Sequence, residues 1–473
     1  MSVFQGMDEQ TSIRGWVDDQ LAEADFGHAR RWMRARLMLR RVAEAPAGRV
    51  SEVFRSAAEL QAAYDFIEGA VPPDELVTGF ARASLRAVSS DPFVYVPVDG
   101  TSLSLTDRKK TKDFGSIGMR AFPTRGLKII DAIAVDHHGT PVGLLDLVGW
   151  ARGPKSSRSR WVRRQSKETE TQRWVDTIER VCSRLLEAGV ECRPWFLMDR
   201  EADSTDVFEA LVRAGAHFTL RASQNRLVRL RNGGRRLLRT ELRRRAIRGT
   251  HWLHVPAGVH RAARIASLDV RFGEVVLDLP LRATRERRAQ PVHAVWVRER
   301  HPPRDEPPID WLLLTDRSIA IYADAIAIVE SYRHRWRIED FHRSWKRGRC
   351  NVEDTQLRAR DHVLRWATML AAVAMRLERL KHLARNQPDA PVSIELSPVE
   401  IQALRAEAQR IKKRTETIPK ELTIAQAVHW IARMGGYQGK PTGQPGSITL
   451  GRGLERFLVW ADGFAFALEL TEK

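Results

Sequence analysis

The chain has 473 residues, enough for two to four domains, and its 43% hydrophobic content is ordinary for a globular protein. Lysine and arginine (78) exceed aspartate and glutamate (59), a formal charge of +19 that points to a polyanionic partner, while the many acids at particular places argue against simple bulk neutralisation. Cys182, Cys192 and Cys350 lack CxxC spacing, which speaks against a zinc or disulfide framework, and no stretch approaches a membrane span, so a soluble cytoplasmic protein without signal peptide is expected.

Residues from about 10 to 85 read as helical. Trp16, Leu21, Phe26, Trp32, Leu37 and Leu39 fall loosely at helical spacing, with Arg30, Arg31, Arg34, Arg36, Arg40 and Arg41 beside them. SAAELQAAYDFIEG reads as a further helix, with Ser56 and Glu59 as a capping box and Gly69 as a stop. Short arginine-bearing helices suit DNA binding, and the alternative is a solvated charged face.

From Asp91 the pattern changes. PFVYVPVDG reads as a buried strand ending in Asp99, and Gly126 to Trp150 as a hairpin turning at His138-Gly139. A basic stretch from Pro154 to Glu170 precedes a helix over about 171–188. RPWFLMDRE is a second apolar run ending in an acid, Asp199; DSTDVFEALVRA reads as helix and HFTLRA as strand. These elements form an α/β layer in which two strands end in aspartates. Residues of about 225–315 are arginine-dense and then strand-like, a β-rich insertion. Helix is expected from about Ala323 to Lys346 and over 361–383, and again from about Glu400, after a proline-containing loop.

The stretch SYRHRWRIEDFHRSWK, residues 331–346, is basic yet carries two adjacent acids. On one continuous helix, Tyr332, Arg335, Glu339 and Lys346 lie within roughly 60° of one another, so a tyrosine, two cations and a carboxylate look out together. A surface helix with internal ion pairs would show the same spacing. Asp99, Asp199 and Glu339 together offer hard oxygen ligands suited to Mg²⁺, and two such ions can clamp in-line attack on a phosphodiester. Asp340 points about 100° from Glu339 and reads as structural.

YRHRWRIEDFHRSWK resembles the YREK signature of bacterial DDE transposases of the insertion-sequence-four family, in the Tn-five transposase group. VDGTSLSLTD around Asp99, MDREAD around Asp199 and DWLLLTDRSI around Trp311 extend the likeness. ADFGHARR and AAELQAAYDFIE are similar to its DNA-binding region, and AVHWIARMGGYQG to its dimerisation region. The resemblance implies an α/β fold: an RNase H-like catalytic core, a mixed sheet flanked by helices, with the β-rich insertion. It implies a helical DNA-binding domain over 1–85, a catalytic domain over 86–385 and a helical dimerisation domain over 386–473.

It further implies Asp99, Asp199 and Glu339 as catalytic metal ligands for two Mg²⁺ ions, with Mn²⁺ able to substitute. Tyr332, Arg335 and Lys346 would contact transposon-end DNA, Trp311 would stack on a flipped base, and Arg221 would grip phosphate; Arg30 and Arg31 are the N-terminal candidates for DNA contact. The implied partners are double-stranded DNA, both transposon ends and target, and a second copy of the chain in a synaptic homodimer, near the nucleoid of a bacterial cytoplasm. Cut-and-paste transposition is the implied activity. A nuclease on the same core without strand transfer, or a catalytically silent DNA-binding regulator, are the alternatives. Asp91, Asp107, Asp113, Asp131, Asp136 and Asp203 are set aside, since none ends an apolar run in the family's context. The arginine run 226–248 reads either as an added DNA grip or as a solvated face of the insertion.

Overall fold

The computed structural model describes residues 12–118, 124–153, 169–255, 262–281, 286–439 and 444–471. The basic stretch expected before the first core helix lies largely outside them. The chain opens with helices α1 (Ile13–Leu21), α2 (Ala29–Glu44), α3 (Val50–Val53), α4 (Ala57–Glu68) and α5 (Pro73–Ala87). Ser56 caps α4 by accepting from the Glu59 N–H, but the Glu59 carboxylate turns to Arg41 at 3.0 Å, so the capping box is only half made. An arginine on the neighbouring helix competes successfully for that carboxylate.

The core follows as β1 (Phe93–Ser104), β2 (Gly115–Ser116), β3 (Arg125–Val135), β4 (Pro141–Trp150), α6 (Glu170–Glu187), β5 (Arg193–Met198), α7 (Thr205–Arg213) and β6 (His217–Arg221). β3 pairs antiparallel with β1 and β4, while β5 is parallel to β1 and β6. The antiparallel neighbours need only tight turns; the parallel pairs need helical crossovers, which α6 and α7 supply. The sheet then continues without a break into the insertion: β7 (Leu227–Arg229), β8 (Arg235–Leu237), α8 (Leu238–Arg243), β9 (Gly249–Val255), β10 (Arg264–Pro280), β11 (Arg287–Glu299) and β12 (Asp310–Thr315). β12 returns to pair antiparallel with β6, so insertion and core share one mixed sheet.

Helices α9 (Tyr322–Arg333), α10 (Trp336–Arg343), α11 (Arg360–Asn386), α12 (Pro398–Ile411), α13 (Ile424–Met434) and α14 (Ser447–Thr471) complete the order. α11 is buried along most of its length and ties the parts together: Trp366 donates to the Gly48 carbonyl at 2.8 Å and Arg365 to that of Val71 at 2.5 Å. Among the described residues no helix is long and apolar enough to cross a membrane.

Two expectations are corrected. Asp99 does not end its strand; β1 runs on to Ser104, because residues 99–104 keep pairing with β3. The helix over 323–346 is not continuous. α9 stops at Arg333, and the N–H groups of His334, Arg335, Arg337 and Ile338 bond three residues back rather than four, which tightens the turn before α10. Ser344–Gly348 then widens into a π turn that carries Lys346.

Candidate functional site

Strand alternation gathers the site. In β1, Val94, Val96 and Val98 pack in one hydrophobic layer, against α6 and α7, while Tyr95 faces the other layer. Asp99 is four residues beyond Tyr95 and shares its side. In β5, Phe196 and Met198 take the first layer and Trp195 and Leu197 the second, which brings Asp199 to the second side as well. The same period puts Asp131 of β3, Arg221 of β6 and Trp311 of β12 on that side, under α9 and α10, whose Tyr332, Ile338 and Phe341 fill the layer. A half-buried patch of acids and cations therefore sits in the middle of an apolar interface.

Arg335 is the pivot. It is 7% exposed; one guanidinium nitrogen lies 3.4 Å from Asp99 Oδ2 and another bonds Glu339 Oε1. Burial works against its charge, but Tyr332, Glu339 and Asp99 outweigh it and its pKa lies above the usual arginine value. Burial is also the main reason that Asp99 is pushed up to about 7; the Asp199 and Asp131 carboxylates add to the rise, while His342 and Arg335 oppose it. Asp199 follows β5 directly and caps the short turn Arg200–Ala202, accepting from the Glu201 N–H at 2.8 Å.

Tyr332 is 4% exposed, its hydroxyl is buried without a hydrogen-bond partner, and burial pushes it up to about 12. Its ring stands edge-on to Trp311, with centroids 5.6 Å apart at 70°. Arg221 reaches from the core to the insertion, donating to the Asp310 carbonyl at 3.1 Å, while its Nε is buried without a partner and burial lowers its pKa. Lys346 bonds the Thr101 hydroxyl two residues beyond Asp99, and burial lowers its pKa against the pull of Glu353, Asp131 and Asp99. The unpartnered Tyr332 hydroxyl and Arg221 Nε beside these acids form a polar surface that asks for an anionic, hydrogen-bonding ligand.

Arg30 and Arg31 stand on the exposed first turn of α2, and no hydrogen bond or ion pair among the described residues links them to this cluster. The arginine run resolves into two groups. Arg226 pairs with Asp203 at 2.5 Å, Arg229 and Arg235 with Asp278 at 2.9 Å, Arg236 with Glu241 at 2.6 Å, and Arg239 with Asp310 at 2.9 Å. Arg231, Arg243, Arg244 and Arg248 are exposed and have no carboxylate partner among the described residues. Asp340 pairs with Arg343 at 3.0 Å, in keeping with a structural role.

Sequence reasoning missed a pair at the centre of the site. Asp131, set aside above, is fully buried directly opposite Asp99 in the β1–β3 register, and both its oxygens lie 2.9 Å from His342 Nε2. An acid inside the apolar run KIIDAIAV was the available signal. Trp336 was also passed over; it is 50% exposed, and Arg335 lies over its ring at 5.1 Å.

Residues 160–376 match the family model described as "Transposase DDE domain", and residues 13–70 match the one described as "Transposase DNA-binding". The chain carries a DDE transposase domain and a transposase DNA-binding domain. A DDE domain implies an RNase H-like fold, in agreement with the mixed sheet of core strands β1 to β6 and its helical layers. The DDE match contains Asp199, Arg221, Trp311, Tyr332, Arg335, Glu339 and Lys346; Asp99 precedes it, on the strand β1 that pairs with β5 inside the match. The DNA-binding match spans α1 to α4, including Arg30 and Arg31.

The DDE chemistry implies divalent metal. Among the described residues no group of three or more His, Cys, Asp and Glu is gathered at metal-holding distance, and Arg335 lies between Asp99 and Glu339. The donor chemistry nevertheless fits Mg²⁺. All three acids offer hard oxygens, and Asp99 and Glu339 already converge on one cation, the Arg335 guanidinium.

Proposed function

We propose that this chain is a DNA transposase of the insertion-sequence-four type, which binds transposon-end repeats and cuts and joins DNA at the Asp99–Asp199–Glu339 site. The observation that carries this reading is the convergence of acids from β1, the end of β5 and α10 on one side of the sheet, with Arg335 spanning two of them. Asp99, Asp199 and Glu339 would hold Mg²⁺, which when bound activates the attacking oxygen and stabilises the leaving one. The other residues handle the DNA. Lys346 and Arg221 supply positive charge to backbone phosphates beside the acids, and the Tyr332 hydroxyl donates to a phosphate oxygen. Trp311, held edge-on by Tyr332, stacks a base displaced during hairpin formation. α1 to α4 read the transposon end, α12 to α14 join two copies, and paired ends are processed as cut-and-paste events.

The test is purified protein with Mg²⁺ and a linear duplex carrying the inverted repeats that flank its gene, run beside Glu339→Ala and Asp99→Asn. End-specific nicks and hairpins are expected from the wild type, and a loss of at least about 10³-fold in both variants, with end binding retained. Binding without cleavage by the wild type would favour a DNA-binding regulator, and cleavage without joining would favour a nuclease. Cleavage surviving in Glu339→Ala would remove that residue from the site.

A further inference from the structure

We infer that Asp131 and His342 are a positioning pair that sets the spacing between Asp99 and Glu339; this rests on the reading of those two acids as metal ligands. Asp131 is 0% exposed and faces Asp99 across one rung of the β1–β3 ladder. His342, 9% exposed, lies one helical turn after Glu339 on α10, so both side chains leave the same side of the helix. His342 Nε2 donates between the two Asp131 oxygens, 2.9 Å from each. A carboxylate this deep persists only when paired, so the bond is an obligatory contact rather than a surface option. It fixes the height and roll of α10 over β3. Since β3 holds β1 in register, the same bond fixes the approach of Glu339 to Asp99.

The neighbouring contacts support a division of labour. Ile338 and Phe341, fully buried, anchor α10 by packing, which is non-directional. Arg335 grips both acids directly, but as a cation it competes with any metal for the same oxygens. The Asp131–His342 bond is a directional contact between helix and sheet that leaves both metal-facing carboxylates free; the other, from Arg337 Nε to the Gly139 carbonyl at 3.2 Å, reaches the β3–β4 turn at the far end of the strand from Asp99. Lys346, which Asp131 and Asp99 both attract, completes the charged groups around the pair. Outer-shell hydrogen bonds of this kind commonly carry a tenfold to hundredfold share of metal affinity.

The test compares His342→Leu, Asp131→Asn and the conservative His342→Gln, whose amide keeps a donor, in the full-length protein. Mn²⁺ affinity is measured by calorimetric titration, and amide exchange of 336–343 is followed in metal-free protein. His342→Leu and Asp131→Asn are expected to weaken Mn²⁺ binding by about tenfold, to speed exchange in α10 relative to α11, and to leave end binding unchanged. His342→Gln is expected to recover most of the affinity. Wild-type Mn²⁺ affinity in a folded His342→Leu protein would overturn the inference, as would equal loss of protection in α10 and α11, which marks a merely structural role. Asp99→Asn in the same titration separates the two readings: if it binds Mn²⁺ like the wild type, the metal-ligand assignment fails and the positioning role falls with it.

Discussion

At the scale of single residues, burial decides which groups carry charge. His382 lies within α11, 6% exposed, and its Nδ1 accepts from Asn386 Nδ2 at 3.2 Å, an arrangement open only to the neutral ring. Burial, reinforced by Arg337 and other cations, pushes it down to about 3. In the unfolded chain the ring titrates near ~6.5. Between these values the unfolded state binds the extra proton, so His382 makes stability rise with pH from about 3 to about 6.5, its contribution being complete above that range. His382→Gln should flatten urea stability plotted against pH by about 1 kcal/mol per unit between pH 4 and 6; parallel plots for variant and wild type would refute the neutral assignment. The acids near the centre were unevenly legible for a similar reason. Asp99 and Asp199 interrupt apolar runs in recognisable contexts. Asp131 interrupts one too, but its only justification is His342, 211 positions away, and no local spacing reveals such a partner.

At the scale of elements, strands and core helices were readable because each buries one repeating face: β5, α7 and β6 fall where apolar runs and their punctuation indicated. The break between α9 and α10 was not readable, since residues 331–346 contain neither glycine nor proline. It arises from tertiary demand. Arg335 is drawn to acids on β1 and α10, and the tightened turn at 334–338 is offset by the wide turn at 344–348. That wide turn has its own support. Ser344 bonds Glu378 Oε1 on α11, which also accepts from Ser447 of α14 at 3.1 Å, and Lys381 bonds both Glu378 and Ser447. Ser344, Glu378 and Lys381 are buried, so one carboxylate joins the turn bearing Lys346 to the start of the last helix. Glu378→Gln leaves Lys381 without its counter-charge and should cost about 3–5 kcal/mol in urea denaturation. A double variant, Glu378→Gln with Lys381→Met, should recover part of the loss; a cost below about 1 kcal/mol for the single variant would mean that water already screens the pair.

At the scale of the whole molecule, the formal charge of +19 is distributed between two kinds of arginine. On α2, Arg36 is tied to Asp18, Arg40 to Glu44 and Asp462, and Arg41 to Glu44 and Glu59, so these cations hold helices together and bring α14 against α2. Arg30 and Arg31, in the first turn of the same helix, are exposed and have no carboxylate partner among the described residues. Composition alone gave the total charge but not this partition, which depends on where each helix meets its neighbours. The partition has a measurable consequence. A cation that neutralises a DNA phosphate releases counterions, so the logarithm of affinity falls with the logarithm of salt by about 0.9 per contact. Arg30→Ala and Arg31→Ala should each reduce that slope by about 1 for transposon-end duplex and leave thermal stability within about 0.5 kcal/mol of wild type. Arg41→Ala should do the reverse, lowering the melting temperature by removing the partner of two carboxylates while leaving the slope nearly unchanged. If Arg30→Ala and Arg31→Ala keep the full slope, α2 does not touch the DNA backbone through its first turn, and the exposed Arg243, Arg244 and Arg248 of the insertion become the next cations to remove.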